Sequence, residues 1–428
     1  MSAPTPRITA VDAHDLRFPN SWAPDDSDAP HPGHRAAYLV LRTADGGPEG
    51  HGLAPAADHD DPLGALAALG PLRERLLGSS VDELCADPGA LHRDDRFRGP
   101  WRAALVHAVW DLAAKRARKP LWQLLAEADP HWLVGQVDFR YLTDALSPDE
   151  ALHLLRTARA GAAERAAHLR RDGYPGYAVL HGSAPEQQAA RAAAAGFTRV
   201  KLRVGADLAE DLRRCRAVRR AAPTVQLVID AAHRWEIGEA IEWTWALAEF
   251  DPYWVERPTR ADDLLGHAAV RREVYPVKVA AGAEPANRVV VKQLLQAEAV
   301  DILQLDCSRV SGVNEGLAIL LLSAAAGVPV CPHPGALGRG ALARHLAMFD
   351  YVALSGSLQD RAIEVVDRGE PRFADPLVTA AGRCPAPTAP GLSAELHPVT
   401  VEAYRFPDGS HWRTEPARGA APAAGVLA

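Results

Sequence analysis

The sequence predicts an α/β barrel of repeated strand-helix units preceded by a smaller α+β domain. Three observations lead there. Short β-rich runs each carry an ionisable residue at or near their ends, helical segments separate them, and 428 residues leave room for a barrel plus a second unit, since one domain commonly takes about 100–200 residues. The runs are VKLR with Lys201, QLVID ending at Asp230, YWVE at Glu256, VKVAAGAE at Glu284, DILQLD at Asp306 and VPVCPH at His333. Their ends recur at about 22–29 residues, the length of one unit of a (β/α)8 barrel. Alternating strand and helix implies a parallel sheet, and barrel sites gather at the C-terminal strand ends, so these ionisable residues are expected at one mouth.

In chain order, residues 1–150 read as an α+β cap. YLVLR flanked by alanine (Ala37–Arg42) is strand-like, and Trp101–Arg118 repeats apolar residues at three and four, ending before Pro120. From Glu150 to Arg171 a helical stretch leads to Gly173-Tyr-Pro-Gly, opening a barrel over 151–385. Asp207–Ala221 and Gly238–Glu249 read as barrel helices, and the uncharged run Gly316–Pro332 as a buried helix feeding a buried strand. GALGRG (Gly335–Gly340) reads as a strand-to-helix turn near the mouth. Residues 386–428 begin Pro-, Ala- and Gly-rich; VTVEAYRFPDGSHW is a strand-like run with a turn whose apolar residues could complete the cap, and TEPARGAAPAAGVLA is a loose tail.

Composition narrows the function. With 48% hydrophobic and 24% charged residues the chain can bury a sizeable core. Its net charge of −7 gives no basic field of the kind nucleic acid selects. No signal-like start or membrane-length apolar run is present, and five scattered cysteines form no CxxC pair, so a reducing cytoplasm is expected, with no membrane partner. Only five of the 47 basic residues are lysine. Arginine stays protonated where lysine can be tuned, which makes a strand-end lysine informative.

Asp230, Glu256 and Glu284 on successive strands form an oxygen-ligand set suited to Mg2+. Each acid could equally cap the helix that follows, but consecutive strand ends make chance capping a poor account of the whole set. Asp306 and His333, on adjacent strands, read as a dyad in which the aspartate orients an imidazole general base or acid. Lys201 is expected to face them across the barrel. Together these groups suit removal of a proton alpha to a carboxylate, with the cation stabilising the enediolate. A lone strand-end lysine also allows Schiff-base chemistry.

Lys201-x-Arg203, Asp230, Glu256, Asp306, His333 and Glu364, with KPLWQLLAEADPHWLV, FTRVKLRVGADLAEDLRR and ANRVVVKQLLQAEAVDILQLDCSRVSGVNEGLAILLL, resemble the enolase superfamily in its mandelate racemase branch, most like acid-sugar dehydratases of the L-fuconate type. The resemblance covers nearly the whole chain. It implies an N-terminal capping domain, a (β/α)7β modified TIM barrel and a C-terminal segment returning to the cap. It also implies Mg2+-dependent dehydration of a small hydroxy acid or acid sugar to a 2-keto-3-deoxy acid, and a homo-oligomer. In the family the second lysine of K-x-K is the base, the dyad histidine protonates the departing hydroxyl, three acids bind metal, and a glutamate matching Glu364 assists.

Departures fall on these positions. Arg203 replaces the second lysine; it is a poor base but a good carboxylate clamp. The family's Gly-Glu is Gly282-Ala283, with the acid one place later at Glu284. Adjacent strand residues face opposite ways, so Glu284 reaches the mouth only if the strand end bends. Arg257 stands where the family has glutamate beside the metal ligand, bringing positive charge to the rim. Asp230-Ala-Ala-His-Arg-Trp lacks the family's amides, Leu53–Asp61 lacks its polar glycine-rich run, and the stretch around Arg96–Ala103 is shortened. These changes admit a second reading, a catalytically altered or silent homologue acting by binding or assembly.

Overall fold

The computed structural model describes residues 6–19, 34–56, 70–94, 100–284, 287–307, 310–333, 340–365 and 372–414. Most of the glycine-rich turn at Gly335–Gly340, the tail beyond Thr414, and parts of the two altered cap stretches (57–61 and 96–99) lie outside them.

The chain opens with an antiparallel sheet in the order β1 (Ile8–Phe18), β2 (His34–Thr43), β3 (Gly50–Ala56). β2 is apolar without alternation because both its faces are covered. Ala37, Leu39 and Leu41 join the main core with the helix Pro100–Arg116, while Ala36, Tyr38 and Val40 join a second cluster with Phe373 and Leu396 of the C-terminal segment. The helix lies unusually close to β3: a Cβ on Gly52 would stand 1.7 Å from the Ala104 carbonyl oxygen.

Eight parallel strands follow: β4 (Tyr174–Leu180), β5 (Arg199–Arg203), β6 (Gln226–Asp230), β7 (Pro252–Glu256), β8 (Lys278–Ala281), β9 (Ile302–Asp306), β10 (Val330–His333) and β11 (Ile363–Val365). They are ordered β10-β9-β8-β7-β6-β5-β4-β11, and β10 also approaches β11, so the ring nearly closes. Each of the first seven is followed by a helix, giving (β/α)7β. β4 gives little sequence signal because Pro175 and Gly176 sit in it; there it pairs antiparallel with β12 (Arg383–Cys384). The run Gly316–Pro332 lies in the buried helix Val313–Ala325 and leads into β10.

One expectation is refined and one corrected. The stretch Glu150–Arg171 is split into helices Pro148–Ala158 and Ala162–Asp172 by Gly161, whose φ is 79°. VTVEAYRFPDGSHW is not a strand; it forms helices Pro398–Tyr404 and Ser410–Thr414. Pro398 starts the first with its φ already helical. Val401 and Tyr404, three apart on one face, pack against the cluster of Leu16, Phe18 and Tyr38, so burial of a helical stripe outweighs the β-branched composition. The segment still returns to the N-terminal sheet, where the Phe406 amide donates to the Asp15 carbonyl at 2.8 Å. No described helix is long and apolar enough to cross a membrane.

Candidate active site

Parallel register sets the heights of the side chains. Arg203 pairs with Asp230, Asp230 with Glu256, and Glu256 with Ala280; His333 pairs with Asp306, and Glu364 with Tyr177. Lys201, Asp230, Glu256 and Glu364 lie inside the barrel at no more than 3% exposure. Tyr177 and Trp254 pack edge to face beneath them, ring centroids 5.8 Å apart.

Lys201 is tied to the His333 side of the barrel through Glu364, whose Oε2 lies 2.7 Å from Lys201 Nζ and 3.6 Å from His333 Nε2. The lysine Nζ donates to Glu256 Oε1 at 2.9 Å and Glu364 Oε2 at 2.7 Å, and lies 3.5 Å from Asp230 Oδ2. Burial alone would pull the amine down, but Glu256, Glu364 and Asp230 push it well above the usual lysine range. It is a fixed ammonium, suited neither to accepting a proton nor to forming a Schiff base. Burial would raise the Glu364 carboxyl, yet Lys201 and His333 hold it at about 2, and Tyr177 donates to it at 3.0 Å. Glu256 is raised, chiefly by burial; Trp254 Nε1 lies 3.3 Å from its Oε2.

The dyad is looser than expected. His333 Nδ1 is 4.0 Å from Asp306 Oδ2, an ion-pair rather than a hydrogen-bond separation, and Nε2 is 3.6 Å from Glu364 Oε2. The imidazole therefore lies between two carboxylates. Arg203 Nη2 approaches Asp230 Oδ2 at 4.0 Å, and beside Arg203 a cavity of about 400 Å³ opens, lined also by His181, Ser183, Arg213 and Arg234.

The three expected metal ligands hold something else. Arg257 forks onto Asp230, Nη2 to Oδ2 at 2.5 Å and Nε to Oδ1 at 3.1 Å; its Nε is 3.7 Å from Glu256 Oε1, and its Nη1 is 3.4 Å from Glu284 Oε1. Against the upward push of burial, Arg257 and Lys201 hold Asp230 well below the usual carboxyl range. Glu284 does reach the mouth: the chain turns at Gly282, where φ is 111° and a Cβ would stand 2.6 Å from Leu303 Cδ1. There Glu284 also meets His233 Nε2 at 3.0 Å, while His233 Nδ1 lies 2.7 Å from the Thr259 carbonyl oxygen. Burial would raise Glu284, but His233 and Arg257 bring it to about 2.

Mg2+ does not fit this arrangement. It needs near-octahedral oxygens at about 2.0–2.1 Å, and both Asp230 oxygens already accept from Arg257. Glu284 Oε2 is buried without a hydrogen-bond partner, but one orphaned oxygen is not a donor set. Among the described residues no group of three or more His, Cys, Asp or Glu is arranged to hold a metal.

Sequence reasoning put neither Arg257, His233 nor Tyr177 among the site residues. Arg257 and His233 were signalled as departures following strand-end acids, but alternation sends residue 257 away from the mouth. Tyr177 had no signal, being one apolar-looking residue of an unrecognised strand.

Residues 185–400 match the family model described as enolase C-terminal domain-like. The crystal structure of human mitochondrial enolase superfamily member 1 is 37% identical, covers 96% of this chain and 98% of its own, and superposes with a TM-score of 0.88. The chain belongs to the enolase superfamily. Within it, the L-galactonate dehydratase of Hypocrea jecorina is 36% identical over 440 residues, with 96% of this chain and 97% of that protein covered. The L-talarate dehydratase of Polaromonas sp. JS666, solved with Mg and L-glucarate, shares the fold at 24% identity and a TM-score of 0.70.

Proposed function

We propose that this enolase-superfamily chain is a hydro-lyase acting on a small hydroxy acid or acid sugar. The observation that carries the reading is His333, set between Asp306 and Glu364 on one wall of the mouth, with Arg203 and Arg257 on the wall across from it. Full-length likeness to a protein named L-galactonate dehydratase supports a sugar-acid substrate.

The substrate carboxylate is taken by the Arg203 guanidinium. The polyhydroxy tail extends into the cavity beside Arg203. With Lys201 fixed as ammonium, His333 is the group that accepts the proton from the carbon alpha to the carboxylate. Arg203 and the Lys201 ammonium stabilise the enediolate, and Asp306 and Glu364 stabilise the imidazolium. The imidazolium returns its proton to the departing beta hydroxyl, which leaves as water, and the enol becomes a 2-keto-3-deoxy acid. None of these steps is routed through a metal, because Arg257 already occupies the carboxylates that would hold one. Five free cysteines support a reducing compartment, and a homo-oligomer belongs to the same proposal, open to light scattering.

The test is 2-keto acid formation from a panel of hexonic acids including L-galactonate and L-fuconate. Turnover is expected, with His333→Asn lowering kcat by about 10²–10⁴-fold while the melting temperature holds. No turnover on any hydroxy acid, or full turnover by His333→Asn, overturns the reading.

A further inference from the structure

We propose that Arg257 is the resident cation of this site: its guanidinium occupies the place among Asp230, Glu256 and Glu284 where a divalent metal would sit, and the site takes no such metal.

The backbone fixes the side chain there. Strand alternation would turn residue 257 away from the mouth once Glu256 points in. Arg257 instead has a φ of 49°, in the left-handed region that an arginine adopts at a cost. Its amide donates to the Ala280 carbonyl at 2.9 Å and its carbonyl accepts from the His233 amide at 2.8 Å, so both neighbouring strand ends hold the turn. The side chain is 13% exposed, and both oxygens of Asp230 face its fork. An ion could enter only by expelling a buried guanidinium from a bidentate pair.

The position of Glu284 fits a guanidinium and not an ion. A metal needs its oxygens converging on one point, whereas a guanidinium spreads its donors across a plane several ångströms wide. Ala283 stands where the family's third acid falls, and the acid is one residue further along, a displacement of about 3.3 Å in strand geometry. From there Glu284 meets Nη1 while Asp230 meets Nε and Nη2. The arginine after Glu256 and the shifted acid complement each other, as one exchange of a point charge for a planar one.

The test is Mn2+ binding by the full chain, followed by electron paramagnetic resonance, with melting temperature before and after dialysis against EDTA. The unsubstituted chain is expected to bind no Mn2+ at millimolar concentration and to melt unchanged after EDTA. Arg257→Ala, which takes the guanidinium off all three carboxylates and leaves Lys201 and His233 beside them, is expected to bind one Mn2+ at least about tenfold more tightly, a gain of about 1.4 kcal/mol, and to melt higher when it is present. One Mn2+ bound by the unsubstituted chain and lost in Asp230→Asn overturns the proposal, as does a folded Arg257→Ala that binds none. Should Arg257→Ala not fold, the unsubstituted chain decides alone. These readouts need no substrate, so they stand apart from the dehydratase reading.

Discussion

At the scale of single residues the barrel interior is governed by charge matching. Lys201 is wholly buried among Asp230, Glu256 and Glu364, with the Tyr177 hydroxyl closing the last of these. Removing one partner of a buried ionic group leaves the others uncompensated, at a cost of about 3–5 kcal/mol. Lys201→Met is therefore expected to lower unfolding stability by about that much; a loss under about 1 kcal/mol in urea denaturation would show that solvent reaches these carboxylates. Burial raises Glu256, so it is the acid that takes up a proton most readily once Lys201 is gone. The loss should accordingly be smaller at pH 5 than at pH 8.

At the scale of elements two contacts position the cap. The first is the approach of the helix Pro100–Arg116 to β3, which only glycine at 50 and 52 permits. A Cβ at Gly52 would overlap the Ala104 carbonyl oxygen, so neither surface can relax by rotating a side chain. Gly52→Ala is expected to cost roughly 3 kcal/mol, read as a lower melting temperature; an unchanged value would mean the helix rides freely over the sheet. The second contact is Glu315, at the start of the helix Val313–Ala325. Its carboxylate lies 3.1 Å from His92 Nε2 and 3.0 Å from Arg288 Nη1, and accepts from the Arg288 amide at 2.6 Å. Burial would raise it, but His92 and Arg288 hold it below the usual glutamate range. Unfolded, the carboxyl titrates near its ordinary value of about 4.3. Its stabilisation is thus complete above that pH and is lost as pH falls through the lower folded value. Glu315→Gln should be less stable than the parent by about 1.5–3 kcal/mol at pH 7, and the gap should narrow below about pH 4.3. A gap constant down to pH 3 would count against this ionic role.

At the scale of the whole molecule, one core runs through cap and barrel. Ile8, Val11 and Leu39 of the sheet share a cluster with Leu105 and Val109 of the cap helix and with Leu303 and Leu317 of the barrel. Trp110 Nε1 donates to Asn314 Oδ1 at 2.9 Å across the same boundary, and buried Asp111 accepts from the His51 and Leu392 amides, tying β3 to the C-terminal segment. A cap that shares its core with the barrel cannot melt alone, so far-ultraviolet dichroism and tryptophan fluorescence should report coincident transitions. Two separated transitions would show the units to be independent.

The heights of Lys201, Asp230, Glu256, Asp306 and His333 were legible because a strand fixes which residues point inward and the barrel brings those ends together. The two C-terminal helices were not, because their helical stripe is decided by the surface they cover. Arg257 and Glu284 were both named, but which way each faces was hidden for a different reason. Each follows a turn with positive φ, at Arg257 itself and at Gly282, and such a turn reverses the alternation from which facing is read. The sequence by itself determined a barrel and the acids and bases at its strand ends through the spacing of its β-rich runs, while Glu364 came from family resemblance. Only the tertiary structure decided that a guanidinium, its backbone held by hydrogen bonds to two neighbouring strand ends, joins Lys201 among those acids, because that depends on backbone angles which no local pattern encodes.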